Sequence, residues 1–228
     1  MKPTTALKRS LLAAALICGA TASHASLISY TNQANFLAAV SAPATDTFND
    51  LPFPLNVVAS PLARSVGAYG YTATAGGGFY SAGTLADVWL STNTATATIT
   101  FNNFSGGVFG IGGLFFASNL QGAFQSGQSI TVAATDSDGT LTQIITNALQ
   151  SNFLGFVSNG PLTSLTVTAA QPAGGFAWPT VNDLTLAALP MTVPEPQSGA
   201  LLIAGLGILG LIARRRPRLA VRCCKACL

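Results

Sequence analysis

The positively charged residues of this chain are confined almost entirely to its two ends. Nine of the ten Lys and Arg residues lie in residues 2–9 or 214–225, and Arg64 is the one cation between them. All seven acidic residues lie between the basic ends, and only 7% of the chain is charged. Soluble domains average roughly 25% charged residues. The chain therefore divides into a charge-poor acidic body and two basic ends, and each part has to be interpreted separately.

Residues 1–25 have the pattern of a secretory signal peptide. Lys2, Lys8 and Arg9 form a basic start, and residues 11–17 form a seven-residue apolar run that is too short to span a bilayer. Small-x-small cleavage patterns end at Ala22 and at Ala25, and the sequence leaves both open. With residue 25 as the working boundary, we predict export through the secretion translocon.

The other end contains a second apolar segment. Residues 199–213 (GALLIAGLGILGLIA) carry no charge, and an Arg cluster follows at once: Arg214, Arg215, Arg216 and Arg218. An apolar helix stopped by basic residues leaves those residues in the cytoplasm. The sequence therefore predicts a C-terminal transmembrane helix, preceded by two prolines that hold the backbone extended, in the run Pro194, Glu195 and Pro196.

These three parts, in this order, resemble the PEP-CTERM sorting domain. The resemblance covers residues 192–218, and its sorting residues are Pro194, Glu195, Pro196, Arg214, Arg215 and Arg216. It implies an exosortase as partner, an inner-membrane intermediate, and a final place in the cell envelope or the exopolysaccharide matrix. The tail over residues 219–228, which contains three cysteines, departs from the usual pattern and is assigned to the cytoplasmic side.

The body, residues 26–191, has the alternating pattern of β-strands. About ten short strands separated by turn signals, including an Asp138-Gly139 hairpin, predict an all-β fold, an antiparallel β-sandwich of the jelly-roll kind. One short N-terminal helix is expected over residues 32–40, with Thr31 or Asn32 as N-cap and with three side chains turned inward: Phe36, Leu37 and Val40. The body also resembles the β-sandwich domains that precede this sorting signal, in residues 47–51, 109–113, 153–157 and 180–184.

Composition excludes much chemistry from the body. Residues 26–191 contain no His, Cys or Lys, which removes Ser-His-Asp triads, zinc sites and Schiff bases. Cleavage after Ala22 would leave only His24, close to a free end. An acidic body also disfavours nucleic acid. We expect no enzymatic activity. The remaining catalytic option is a carboxylate pair, Asp136 and Asp138, but the Asp-Gly turn favours the alternative that both are solvated turn residues.

Calcium suits the carboxylates and amides that remain. Asp46, Asn49 and Asp50 lie near the start of the body and Asp183 near its end, where the first and last strands of a jelly roll meet. This set is the leading candidate for structural calcium. The alternative is that Asp46 and Asn49 cap turns while Asp183 accepts from a backbone amide. The loop 136–139 ranks second.

Aromatic residues offer a ligand-binding option. The Gly-rich stretch 70–83 is expected to form an exposed loop carrying Tyr71, Phe79 and Tyr80, which would stack on sugar rings. Trp178 is a further candidate, and Trp89 is expected in the core. The sequence thus predicts an exported structural or adhesive protein that contacts extracellular polysaccharide, with a carbohydrate-binding module for a defined glycan as the alternative.

Overall fold

The structure is a computed structural model that describes residues 26–54 and 56–190. The predicted signal peptide (1–25), transmembrane helix (199–213) and cytoplasmic tail (219–228) lie outside these residues. Over the described ranges, no helix has the length and apolar character needed to cross a membrane.

The described residues form fourteen strands and one helix, consistent with their content of Val, Ile, Thr and Phe. In chain order these are β1 (Leu27–Tyr30), α1 (Gln33–Ala39), β2 (Ser41–Asp46), β3 (Val57–Val58), β4 (Leu62–Val66), β5 (Tyr69–Thr74), β6 (Phe79–Thr84), β7 (Asp87–Thr92), β8 (Ile99–Ser105), β9 (Gly110–Ser118), β10 (Ile130–Thr135), β11 (Thr140–Ile145), β12 (Phe153–Ser158), β13 (Ser164–Ala169) and β14 (Trp178–Ala188).

The strands form two antiparallel sheets. One has the order β1-β12-β9-β14-β7-β6-β3, with β2 also paired to β14, and the other has the order β11-β10-β13-β8-β5-β4. The long strand β14 pairs with β9 on one side. On its other side it pairs first with β7 and then, beyond an irregularity after Asn182, with β2. The predicted all-β architecture with two antiparallel sheets and one short helix is confirmed, with more strands than the eight of a standard jelly roll.

One core lies between the sheets, because every second residue of the central strands points inward. In the eight-stranded sheet, Leu90, Val181 and Phe115 occupy matched positions on three neighbouring strands and are fully buried. The facing sheet contributes an equivalent row of buried side chains: Ile99, Val167 and Val132. The predicted Asp138-Gly139 turn joins β10 to β11, with Thr135 opposite Thr140, and this prediction is confirmed.

Helix α1 covers part of the outer face of the eight-stranded sheet. Its N-cap is Asn32, whose Oδ1 accepts a hydrogen bond from Asn35 N at 3.0 Å, and Phe36 is fully buried. Val40 is also buried, but Leu37 is 39% exposed, so its predicted inward orientation is wrong. Helix α1 has only seven residues, and its contact with the sheet runs through Phe36.

Glycines on β9 and β12 form the surface against which this helix packs. Gly112 and Gly155 lie directly opposite each other, and a Cβ on Gly155 would lie 2.6 Å from the ring of Phe36. A Cβ on Gly110 would lie 2.7 Å from Cγ1 of Val40. Residues 110–113 and 153–156 are thus parts of one paired surface, and their glycines make room for α1.

We expect Gly155→Ala to lower the free energy of unfolding by about 1–3 kcal/mol, as overpacking of a filled site does. The added methyl meets Phe36 and Phe153, which are both buried. Thermal unfolding of this variant should be compared with that of Gly76→Ala, where a Cβ meets nothing within 4 Å. Equal melting temperatures for Gly155→Ala and the unsubstituted protein would show that the neighbouring side chains move to accommodate the added methyl group.

Candidate functional site

The body's one cation lies at the centre of a cluster that joins the two sheets. Arg64, on edge strand β4, donates to both carboxylate oxygens of Asp46, from Nε at 2.8 Å and from Nη2 at 2.6 Å. It also donates to both oxygens of Asp50, at 3.0 and 2.7 Å. Asp46 ends β2 in the opposite sheet. The guanidinium therefore ties β4 to β2 of the opposite sheet through a bidentate pair with Asp46, and to the turn after β2 through a second bidentate pair with Asp50.

Two aromatic residues complete this arginine cluster. The hydroxyl of Tyr71 donates to Oδ2 of Asp46 at 2.8 Å, and the backbone N–H of Phe48 donates to Oδ1 at 3.1 Å. The Arg64 guanidinium lies 5.4 Å from the centre of the Phe48 ring, within the range of a cation–π contact. The carboxylate of Asp46 is 5% exposed and accepts four hydrogen bonds, so its burial is fully compensated.

The ionisation of the cluster follows from these contacts. Burial alone lowers the pKa of Arg64, but the hydrogen bonds and negative charges of the two carboxylates outweigh it and hold that pKa above its ordinary value. Hydrogen bonding from Arg64 lowers the pKa of Asp50. Burial, and then the charge of Asp46, raise the pKa of Tyr71. At neutral pH Arg64 and Asp50 are therefore charged, and the phenol of Tyr71 is neutral.

The four residues of the predicted calcium set are placed differently from one another. Asp46 and Asp50 bind Arg64, while Oδ1 of Asn49 accepts from the backbone N–H of Val88 at 2.7 Å. Asp183 lies near Asp87; burial, and then the negative charge of Asp87, raise the pKa of Asp183. β2 does pair with β14, with Asp46 opposite Leu184. Even so, the described residues contain no group of three or more Asp, Glu, His or Cys side chains arranged to hold a metal ion.

Calcium binding at this set is expected from the sequence and is not tested by the structure, but the arginine cluster argues against it. An ion at Asp46 and Asp50 would have to displace a guanidinium that is already bound through four hydrogen bonds. We therefore expect EDTA to leave the melting temperature of the protein unchanged. A melting temperature that falls with EDTA and recovers with calcium would show that the ion competes successfully, since a ligand of the native state stabilises it.

The second acidic pair forms part of a turn. Oδ1 of Asp136 accepts from the N–H groups of Asp138 and Gly139 at 2.8 and 3.0 Å, and Oδ2 accepts from the hydroxyl of Ser158 at 2.6 Å. Burial raises the pKa of Asp136, but these hydrogen bonds outweigh it and leave that pKa below its usual value. Asp136 thus has the geometry of a turn residue, as the hairpin pattern favours, and is held ionised. It is only 5% exposed, so the expectation that it is solvated is wrong.

The stretch 70–83 is not an exposed loop. Residues 69–74 are β5 and residues 79–84 are β6. Tyr71 and Phe79 face the core and are buried, so neither ring is available to a sugar, and their assignment as ligand-binding residues is corrected. The cause is the alternation within each strand, which turns every second aromatic ring inward. Tyr80 has the opposite orientation and stays half-buried at the surface.

Tyr80 borders a surface cleft that it shares with Trp178. The full lining is Tyr80, Ser91, Thr92, Asn93, Asn119, Leu120 and Trp178. The register of the paired strands explains why Tyr80 and Trp178 are close. Tyr80 is opposite Ser91, Ser91 is opposite Thr180, and Trp178 lies two residues before Thr180 on the same face. Phe176, 62% exposed, lies beside Trp178 with the ring centres 6.1 Å apart. Three strands of one sheet, β6, β7 and β14, together with two loops therefore present an aromatic cleft that is open to solvent.

Three buried hydroxyl groups form a cluster that reaches the aromatic cleft through Ser91. The hydroxyl oxygens of Ser91, Ser118 and Thr180 lie 2.9–3.0 Å from one another. Thr180 Oγ1 is also 3.2 Å from the carbonyl oxygen of Trp178. Each of the three residues is at most 1% exposed, so their mutual hydrogen bonds replace water.

Sequence reasoning named Tyr80 and Trp178 but not their neighbours. Asn93 and Asn119 reach the cleft from loops, and no local pattern marks a loop amide as a neighbour of a distant ring. The partial signal is the run Phe176-Ala177-Trp178 before the last strand, two large aromatics separated by a small residue. That run indicates an exposed ring without indicating what lies beside it.

The comparisons with known proteins bear on the C-terminal end. Residues 192–216 match the family model of the PEP-CTERM protein-sorting motif. The chain carries a PEP-CTERM sorting motif. The matched range contains the Pro-Glu-Pro run, the apolar segment and three of the arginines, so the predicted resemblance is confirmed. Motifs of this kind are recognised by exosortase, and they mark a protein that is exported and sorted at a membrane.

The PEP-CTERM motif accounts for 25 residues and does not extend into the β-sandwich. No curated protein and no solved structure matches this chain. The role of the body therefore has to be argued from its own geometry.

Proposed function

We propose that this protein is an exported, non-enzymatic component of the cell envelope or exopolysaccharide matrix, with a structural and adhesive role. The observation that carries the proposal is the order of its parts: a β-sandwich whose last strand ends at Ala188 is followed at residue 192 by the PEP-CTERM motif. The body is the folded part of the protein that reaches the cell exterior, so its surface carries the proposed structural and adhesive role.

The use of the body's carboxylates supports a structural role. Asp46 and Asp50 bind Arg64, and Asp136 holds a turn. Asp87 accepts from Nε1 of Trp89 at 2.8 Å and from Nδ2 of Asn182 at 3.0 Å. Four of the six aspartates of the described body are thus engaged in holding the fold, whereas a catalytic carboxylate needs room for a substrate.

The outer face of the six-stranded sheet supports contact with polysaccharide. Hydroxyl side chains recur in register across its strands at partly exposed or exposed positions. One row contains Thr74, Thr100, Thr166 and Thr142, with Ala133 between the last two, and a second contains Thr72, Ser164, Thr135 and Thr140, with Asn102 between the first two. Uncharged hydroxyls of this kind exchange hydrogen bonds with sugar hydroxyls in either direction. An uncharged face rich in hydroxyl groups can therefore associate with a hydrated glycan network.

The test is to follow the protein in a host with and without its exosortase. With the enzyme, we expect the protein in envelope or matrix fractions, and mass spectrometry should find a C-terminus that lacks the arginine cluster. Without it, we expect the uncut chain in the inner membrane. The same spectra give the mature N-terminus and decide between cleavage after Ala22 and after Ala25. Identical masses and fractions in both hosts would contradict the proposal.

A second candidate function is a carbohydrate-binding module with a defined glycan ligand. The aromatic cleft favours it, because exposed rings beside amide side chains are the usual elements of a small-molecule or glycan site. The two functions are compatible, since a glycan site on a matrix protein would be the origin of its adhesion.

A further inference from the structure

We propose that the aromatic cleft binds an internal segment of a neutral polysaccharide, an inference that rests on the proposed envelope or matrix location. The site consists of the rings of Tyr80 and Trp178 with the amides of Asn93 and Asn119, and Phe176 extends it along one side.

The rings supply the apolar part of the site. Tyr80 and Trp178 are half-buried, so each is held by the protein on one side and open on the other. Phe176 stands beside Trp178 at an interplanar angle of 60°, which gives the platform a second, tilted surface. A sugar ring with equatorial hydroxyls has an apolar C–H face, and burying that face against an aromatic ring removes apolar area from water on both partners.

The amide side chains of Asn93 and Asn119 supply the hydrogen-bonding groups of the site. Nδ2 of Asn93 donates to the carbonyl of Gly77 at 3.2 Å, which leaves Oδ1 as an acceptor. Oδ1 of Asn119 accepts from the N–H groups of Gln121 and Ala123, both at 3.0 Å, which leaves Nδ2 as a donor. Each of these two lining amides therefore keeps one hydrogen-bonding group, an acceptor on Asn93 and a donor on Asn119, for sugar hydroxyls.

Charge selects a neutral ligand. None of the seven lining residues is charged. The described body carries one Arg and six Asp, a net charge of −5, and Arg64 is already paired. A polysaccharide of uronic acids, or one bearing phosphate or sulfate, would meet repulsion without a cation to offset it.

The size of the cleft indicates how the polymer lies. The recess between the rings has a volume of about 40 Å³, enough for a few water molecules or one small substituent rather than a whole sugar ring. The chain must therefore lie across the rim, stacked on the rings, with one projecting group in the recess. This geometry suits an internal segment of a polymer and does not require a chain end.

Hydrogen bonds hold the elements that carry the rings. Trp178 is on β14, which lies between β9 and β7, and its carbonyl oxygen is 3.2 Å from the hydroxyl of Thr180. The loop before it is held by Gln171, whose Nε2 donates to the carbonyls of Ala95 and Ala177 and whose Oε1 accepts from Ala177 N. Rings that are already ordered lose little conformational entropy on binding.

The experiment is affinity electrophoresis of the mature protein, recovered from an exosortase-containing host, in gels that contain defined polymers. Hydroxyethylcellulose, galactomannan and dextran are the neutral probes. Carboxymethylcellulose is the acidic counterpart of the first, on the same backbone. We expect at least one neutral polymer to retard the protein and carboxymethylcellulose to retard it less than hydroxyethylcellulose. Trp178→Ala and Tyr80→Ala should each raise the dissociation constant about tenfold or more, as loss of a central aromatic does.

Two further variants separate binding from folding. Tyr30→Ala removes a half-buried ring on edge strand β1, away from the cleft, and should bind like the unsubstituted protein. Trp178→Phe keeps a ring and should bind. Because the chain has two Trp residues and Trp89 is buried, the fluorescence change on adding polymer should come from Trp178 and disappear in this variant.

The outcomes distinguish this inference from the function on which it rests. Unchanged binding by Trp178→Ala and Tyr80→Ala, preference for carboxymethylcellulose, or no retardation by any neutral probe overturns the glycan site. If the protein then still fractionates with the matrix, the proposed function survives without it. Failure of the protein to leave the inner membrane overturns the proposed function itself.

Discussion

Arg64→Met is expected to lower the free energy of unfolding of this protein by about 3–5 kcal/mol, the usual effect of removing one partner of a buried ion pair. Asp46 is 5% exposed and would keep a buried carboxylate without its guanidinium. The tie between β2 and β4, in opposite sheets, would be lost as well. Met has a similar apolar length, so the change removes the charge and the hydrogen bonds while it largely keeps the volume.

Thermal unfolding measures this effect, with an expected fall in melting temperature of about 6–20 °C for a domain of this size. Asp50→Asn is the matched control: it alters the exposed arm of the same cluster, where Asp50 is 70% exposed, and should change stability little. Adding Asp46→Asn to Arg64→Met should recover part of the loss, because the uncompensated charge is then gone. A melting temperature unchanged by Arg64→Met would show that the cluster is not what joins the sheets.

Replacing Pro194, Glu195 and Pro196 with alanine is expected to stop sorting and leave the uncut protein in the inner membrane. The three residues lie in the matched PEP-CTERM motif and are the part whose sequence defines it. Alanines remove both fixed proline backbones and the only glutamate of the chain. The apolar segment and the arginines are unchanged, so insertion should continue while processing fails.

The measurement is the amount of protein in envelope and culture-fluid fractions, together with the mass of the inner-membrane form. Pro190→Ala, outside the matched range, is the control and should be released normally. Normal release of the triple variant in a host with active exosortase would remove the Pro-Glu-Pro run from the sorting mechanism.

The parts of the fold that could be predicted from sequence are those set by neighbouring residues. Alternation in residues 164–168 and partial alternation in residues 129–135 predicted β13 and β10, and the Asp-Gly pair predicted the hairpin after β10. The helix prediction succeeded for its N-cap and for Phe36, because an Asn side chain caps its own helix. Each of these signals lies within about ten residues of chain.

The parts that could not be predicted depend on contacts between distant residues. Nothing near Arg64 indicates that Asp46, 18 residues away and in another sheet, will be its partner. Glycines in residues 70–83 favoured a loop, but β5 and β6 each gain a paired neighbour on at least one side, and that pairing outweighs the local preference. The aromatic cleft depends on the register of β6, β7 and β14 together, which no single segment specifies.

The position of β14 has a mechanical consequence. It is the last strand before the sorting motif, so any pull on the chain beyond Pro190 reaches it first. β14 is hydrogen-bonded along both edges, to β9 on one side and to β7 and β2 on the other. In an antiparallel sheet these bonds run perpendicular to the strands. A load directed along β14 therefore shears many bonds together and does not open them one at a time. A body attached to a surface through this strand resists extraction by flow or by the tension of a polymer network.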